Sequence, residues 1–160
     1  MEETLLLREA TLADIPMLVS HRRRMFEDMA SAQGTAYAPA RLDAMDAAYA
    51  FHVRAHLDDG TLRAWVIEAD GQIVASGATS LLDWPPRPND LTERLALLHS
   101  VYTVAAYRRR GLARRIVQTA IEACRAEGLR RLTLHASVAG RPLYESLGFQ
   151  PTNEMRLLLD

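Results

Sequence analysis

Val101-Tyr-Thr-Val-Ala-Ala-Tyr-Arg-Arg-Arg-Gly-Leu-Ala-Arg-Arg115 is the stretch from which the rest of this 160-residue chain can be read. A β-branched and aromatic run predicts a strand that ends in a basic turn, Arg108 to Gly111. Beyond the turn, Leu112, Ile116, Val117, Ala120, Ile121 and Cys124 recur at helical spacing, with Arg114, Arg115, Gln118, Glu122 and Arg125 on the other face. A strand that feeds a helix N-terminus through arginine and glycine is suited to holding an anion. The first N–H groups of a helix have no internal partner, and the macrodipole places partial positive charge there. Gly111 has no Cβ to hold a phosphate away, and arginine can add charge-assisted bonds to its oxygens.

Outward from that stretch the pattern is regular. Residues 5–10 read as a first strand, followed by a helix to about Met29 that Thr11 or Asp14 can cap and whose first turn tolerates Pro16. Arg22, Arg23 and Arg24 fall within this helix and read as its solvated face. Residues 31–40 read as a loop, 41–57 as a second helix, and 64–68 with 73–79 as a hairpin through Asp70-Gly71. Trp84-Pro-Pro-Arg-Pro88 excludes regular structure, and 95–104 is the strand that enters the basic turn. After the long helix, ended by Gly128, come a strand at 131–136 and a short helix at about 140–147. Phe149 and residues 155–159 are then expected as closing strands, paired across 151–154. Hairpins together with one βαβ crossover imply an α+β fold with a mixed, mostly antiparallel central sheet flanked by helices. No linker or repeat interrupts it, so one domain over 1–160 is expected.

Composition removes several function classes. With 49% hydrophobic and 24% charged residues the chain is of ordinary globular type rather than disordered. A formal net charge of -1 argues against nucleic-acid binding, which calls for a basic excess. The positive charge, all of it arginine, is local, as a small polyanionic ligand would require. The single cysteine, Cys124, leaves no internal disulfide and fits a cytoplasmic location. No apolar run has the length of a membrane span, and the N-terminus lacks a signal-peptide pattern.

The spacing Arg108-x-x-Gly111-x-Ala113 resembles the pyrophosphate-binding motif of the GNAT superfamily, the acetyl-CoA-dependent N-acetyltransferases. About thirty residues downstream, Leu143-Tyr-Glu-Ser-Leu-Gly-Phe149 matches the second signature of that superfamily without a gap, and the element order is also that of the GNAT fold. Ser137 stands where the family usually has Asn, and Gly140 where it often has Ala. The resemblance implies acetyl-CoA as acyl donor and no metal. It implies cofactor contacts from Arg108, Arg109, Arg110, Gly111, Leu112, Ala113 and Arg114 at the turn. It also implies main-chain contacts from Val101, Tyr102 and Thr103 on a strand splayed from its parallel neighbour. Ser137 would reach the cofactor arm, or alternatively serve as a turn serine capping the short helix.

Acetyl transfer to an amine requires a neutral nucleophile, help for the developing oxyanion, and a proton for the departing thiolate. A thiol titrates near 8.5 and a phenol near 10, so a positioned tyrosine can protonate the sulfur. By resemblance that general acid is Tyr144, turned away from the core by Leu143 and Leu147. His99, His135, Glu154 or a water chain could take the amine proton. Cys124 reads as core, which favours direct transfer in a ternary complex over an acyl-enzyme. The expected acceptor is a small-molecule or peptide amine, with nucleic acid and membrane excluded as partners and a homodimer left open. A non-catalytic acyl-CoA sensor on the same fold is the competing reading. Neither a P-loop nor a Rossmann glycine motif is present.

Overall fold

A computed structural model describes residues 3–159. Five strands form one sheet in the order β1-β2-β3-β4-β5: β1 Leu5–Glu9, β2 Leu62–Ala69, β3 Gln72–Asp83, β4 Arg94–Thr103 and β5 Leu132–Leu134. The first three pairings are antiparallel and β4 with β5 is parallel, as one crossover helix demands. Helices α1 Ile15–Ala32 and α2 Pro39–Asp59 cover one face, while α3 Leu112–Ala126 covers the other, with α4 Arg141–Ser146 beside it. The mixed α+β architecture inferred from periodicity is therefore the observed one.

Local chemistry explains where the helices start. Pro16 occupies the first turn of α1, and the Thr11 N–H donates to Asp14 Oδ2 at 2.7 Å just before it. The Arg8 fork holds both Asp14 oxygens at 2.7 and 2.9 Å, so this buried carboxylate is paired and kept below its ordinary pKa. In α3 the residues Leu112, Ile116, Val117, Ala120 and Cys124 are all buried, forming a continuous stripe against β2, β3 and β4. Burying each of the larger ones stabilises the fold by about 1.5–3 kcal/mol. Gly77 on β3 lets α3 come close: a Cβ there would lie 2.6 Å from Ile116 Cγ2 and 3.3 Å from Val101 Cγ2.

Three expectations are corrected. The strand predicted over 131–136 forms ladder pairs only at Leu132–Leu134. Among the described residues no strand follows α4: Phe149 and 155–159 are unpaired, and Met155, Leu157, Leu158 and Leu159 are 81–95% exposed. Apolar β-type composition makes a strand only where an edge receives it, and the intervening Pro151 cannot donate to a ladder. Finally, only Arg24 of the arginine triplet is solvated. Arg23 binds Glu27, Asp43 and Asp46, tying α1 to α2, and Arg22 turns inward. The register Ile15, Leu18, Arg22, Phe26 shows why: Arg22 occupies a position on the buried stripe of α1.

Candidate active site

Strand β4 is paired with β5 only from Ala96 to Leu98. Beyond Leu98 its β5-side edge, from His99 to Thr103, has no strand partner among the described residues. The two strands part there, as anticipated for Val101, Tyr102 and Thr103. On the other side the β3–β4 register slips between Ser76↔Tyr102 and Ala78↔His99, so β4 carries an extra residue opposite Gly77. Ser100, at that bulge, has φ +57, a left-handed conformation costing a non-glycine residue about 1–3 kcal/mol. Its Oγ takes a hydrogen bond from Arg22 Nη1 at 2.7 Å and lies 3.1 Å from Tyr49 Oη and 2.9 Å from His99 Nδ1. These bonds hold the kink.

The strand leads through a single 3-10 turn at Ala105–Tyr107 into the basic turn. Arg109 (φ +64) and Gly111 (φ +77) are both left-handed, which turns successive N–H groups toward one concavity. Among the described residues, no backbone N–H from Arg109 to Arg114 donates to a protein acceptor, and a Cβ on Gly111 would meet nothing within 4 Å. The concavity is open toward solvent and lined by donors. Arg114 Nη2 donates to Ser146 Oγ at 2.7 Å, which joins the first turn of α3 to the end of α4. Arg108 donates to Asp28 Oδ2 at 2.6 Å and to the Thr103 carbonyl at 3.0 Å, and Arg110 to Glu3 at 2.9 Å. The three turn arginines are thus not interchangeable: Arg108 and Arg110 brace the turn, whereas Arg109 has no protein partner among the described residues. Thr103 Oγ1, a buried atom at the end of β4, also lacks a protein partner among the described residues.

Tyr144 differs from expectation in one respect. It packs against the α3-side core together with Leu147 and Phe149 rather than turning away from it. Its ring meets Phe149 edge-on at 5.8 Å, and burial raises its pKa, so it carries its proton at neutral pH. Ser137 Oγ accepts the Gly140 N–H at 3.1 Å, which closes the turn ahead of α4, while the helix itself has no side-chain cap. Ser137 Oγ and the Tyr144 ring both close on Gly140, where a Cβ would lie 3.1 Å from each. The glycine in place of the alanine common in the family therefore gives these two side chains room to converge.

The two strand histidines flank the parting of β4 and β5. Leu98 and Leu134 are register partners packed toward α3, so His99 and His135, the next residues, share the opposite, α1/α2 side. His99 is partly buried, with Nε2 2.8 Å from Ser80 Oγ, and burial together with the nearby Arg22 charge lowers its pKa to about 4. His135 is exposed, its Nε2 3.0 and 3.1 Å from the Glu154 carboxylate. Sequence reasoning missed the Arg22–Tyr49–Ser100 cluster and the buried His21, whose Nδ1 lies 2.7 Å from Ser76 Oγ. The only available signal was an arginine on an apolar stripe. Among the described residues, no helix is long and apolar enough to cross a membrane, and no group of three or more His, Cys, Asp or Glu could hold a metal ion.

Solved structures share this architecture. A predicted acetyltransferase from Clostridium acetobutylicum, solved with acetyl-CoA, is 28% identical, with TM-score 0.87 over 98% of this chain and 96% of that one. A GCN5-related N-acetyltransferase from Ralstonia eutropha JMP134 is 25% identical, with TM-score 0.88 over 98% and 99%. Glucosamine-6-phosphate N-acetyltransferase from Arabidopsis thaliana, 20% identical with TM-score 0.64 over 99% and 100%, shares the fold. No protein of curated function matches the chain in sequence. The family model that matches residues 23–149 is the acetyltransferase (GNAT) family, and it spans the donor-lined turn, the splayed strand and Tyr144. With that match, the chain belongs to the GNAT acetyltransferase family.

Proposed function

We propose that the protein transfers an acetyl group from acetyl-CoA to a primary amine by direct attack in a ternary complex. The single observation that carries this reading is the run of N–H groups from Arg109 to Arg114 without a partner among the described residues, opening beside a splayed strand and a half-buried tyrosine. The residues fit the donor. The turn and Arg114 suit the pyrophosphate, the edge from Val101 to Thr103, with its orphaned Thr103 hydroxyl, suits an amide-bearing arm, and Gly111 leaves the approach clear.

Bound acetyl-CoA supplies an activated thioester, whose carbonyl carbon gains a bond to the amine nitrogen as the C–S bond breaks. Tyr144, kept protonated by burial, gives its hydroxyl proton to the departing sulfur. The amine proton goes to His135, whose Nε2 lies 3.0 Å from the Glu154 carboxylate and whose Nδ1 has no protein partner among the described residues. His99, with a pKa of about 4 and both nitrogens against serine hydroxyls, is occupied within the fold. Cys124 is buried and its pKa is raised, which supports direct transfer over an acyl-enzyme. The reading places the protein in the cytoplasm. It also allows a homodimer, for which the exposed apolar residues Met155, Leu157, Leu158 and Leu159 offer a surface.

The test is a panel of amines with acetyl-CoA, read as release of free CoA, in the wild type and in Tyr144→Phe. Turnover reduced about 10²- to 10⁴-fold in the variant, with CoA affinity retained, is expected of a general acid that acts only as the bond breaks. CoA binding without turnover on any amine would favour the sensor reading. An unchanged kcat in Tyr144→Phe, with chemistry rate-limiting, would return the tyrosine to packing.

A further inference from the structure

Arginines that are only partly exposed in this protein fall into two groups. Arg8, Arg23, Arg63 and Arg131 each hold at least one carboxylate at 2.5–3.0 Å. Arg114 and Arg22 have no carboxylate within ion-pair distance among the described residues. Arg114 lies in the donor-lined turn, where an anionic ligand accounts for it. Arg22 lies on the other side of the sheet, beneath α1 and α2, where no anionic ligand is accounted for by the turn.

Its setting is restrictive. The guanidinium carbon is 4.6 Å from the Tyr49 ring centroid and 5.1 Å from that of Phe26, so aromatic rings hold the group in place. Nη1 donates to Ser100 Oγ, while the Nε and Nη2 donors have no protein partner among the described residues. An arginine side presenting Nε–H and Nη2–H in one plane matches the two oxygens of a carboxylate. Around it stand His99, Tyr49 and His52; burial lowers both imidazole pKa values, and the Arg22 charge lowers them further. The position is as informative as the chemistry. Ser100, in direct contact with Arg22, sits where β4 parts from β5, with His99 and His135 on the same side.

We infer that the acceptor is an amine that also carries a carboxylate, and that the free Nε–Nη2 edge of Arg22 binds that carboxylate while the amine faces the splayed strand. The inference rests on the acetyltransferase reading and narrows its substrate class to amino-acid-like molecules. The amine nitrogen forms the new amide bond and its proton leaves to the base; the carboxylate is unchanged. Arg22 contributes twice, by orienting the acceptor and by disfavouring the ammonium form of the amine beside it.

The decisive experiment compares α-, β- and γ-amino acids with their primary-amide counterparts as acceptors at saturating acetyl-CoA. An amino-acid amide has the lower amine pKa and presents more neutral nucleophile at pH 7, so reactivity alone favours the amide. The expected result is the reverse: kcat/KM at least tenfold higher for one of the acids, carried mainly by KM. In Arg22→Met that preference should fall to near unity, with KM for the acid rising. Arg22→Lys, which keeps the charge but not the fork, should restore only part of it. CoA affinity and thermal melting in each variant separate loss of acceptor binding from loss of the fold. Amides or simple amines used as well as the acids, or an acid preference that survives Arg22→Met, would overturn the carboxylate assignment and leave the acetyltransferase reading standing. Acetylation of no amine of either kind would overturn both.

Discussion

Two glycines in the same backbone conformation, one at each end of α3, allow backbone strain to be told apart from an effect on ligand binding. Gly111 (φ +77) opens α3 and Gly128 (φ +76) follows its end, and a Cβ at either would meet nothing within 4 Å. Replacing either by alanine therefore introduces no clash with protein, only the left-handed penalty of about 1–2 kcal/mol. For a chain of this size that lowers Tm by about 2–8 °C in both variants. Ligand binding should divide them. The Gly111 methyl would enter the open space that the proposed ligand needs, so losing even one charge-assisted bond to the pyrophosphate, about 1.5–3 kcal/mol, weakens CoA about 10- to 100-fold. Gly128 lies at the far end of the helix, and its variant should bind CoA as the wild type does. Isothermal titration with CoA, alongside melting curves with and without ligand, measures both quantities. Unimpaired CoA binding by Gly111→Ala, or an equal loss in Gly128→Ala, would refute the donor-lined turn as the anion site.

Other outcomes follow from the same geometry. Gly77→Ala places a methyl 2.6 Å from Ile116 Cγ2 and should destabilise the protein by about 1–3 kcal/mol, read from a denaturant midpoint; Ile116→Ala added to it should recover part of the loss, and additive losses would contradict the contact. His21 and His99 both have pKa values lowered to about 4 from 6.5, so the unfolded chain binds more protons between those values. Their contribution to stability is complete above about pH 6.5 and declines as the pH falls toward 4, by about 2 kcal/mol for each at pH 5. His21→Asn should show a correspondingly shallower loss between pH 7 and pH 5 in urea titrations; a pH dependence identical to the wild type would disprove the assignment.

The parts legible in the sequence were those encoded within a few turns of chain. The amphipathic period of α3, the left-handed glycine before it, the Asp70-Gly71 hairpin and the Leu143–Phe149 segment each carry their signal in adjacent residues, because helical period and turn chemistry are local properties. The donor-lined turn and Tyr144 could therefore be placed before any tertiary contact was known. Other features depended on which surfaces meet. Ser100 adopts its conformation because β4 gains a residue against β3, and its partners Arg22 and Tyr49 come from two helices 78 and 51 positions away. Arg22 reads as part of a charged face until the stripe Ile15, Leu18, Phe26 is seen packed on the sheet. Residues 155–159 have the composition of a strand but no edge that takes them up. Burial and pairing belong to both partners of a contact, so the sequence determined the glycine turn that opens α3, and packing alone decided how Arg22 and His99 meet at Ser100.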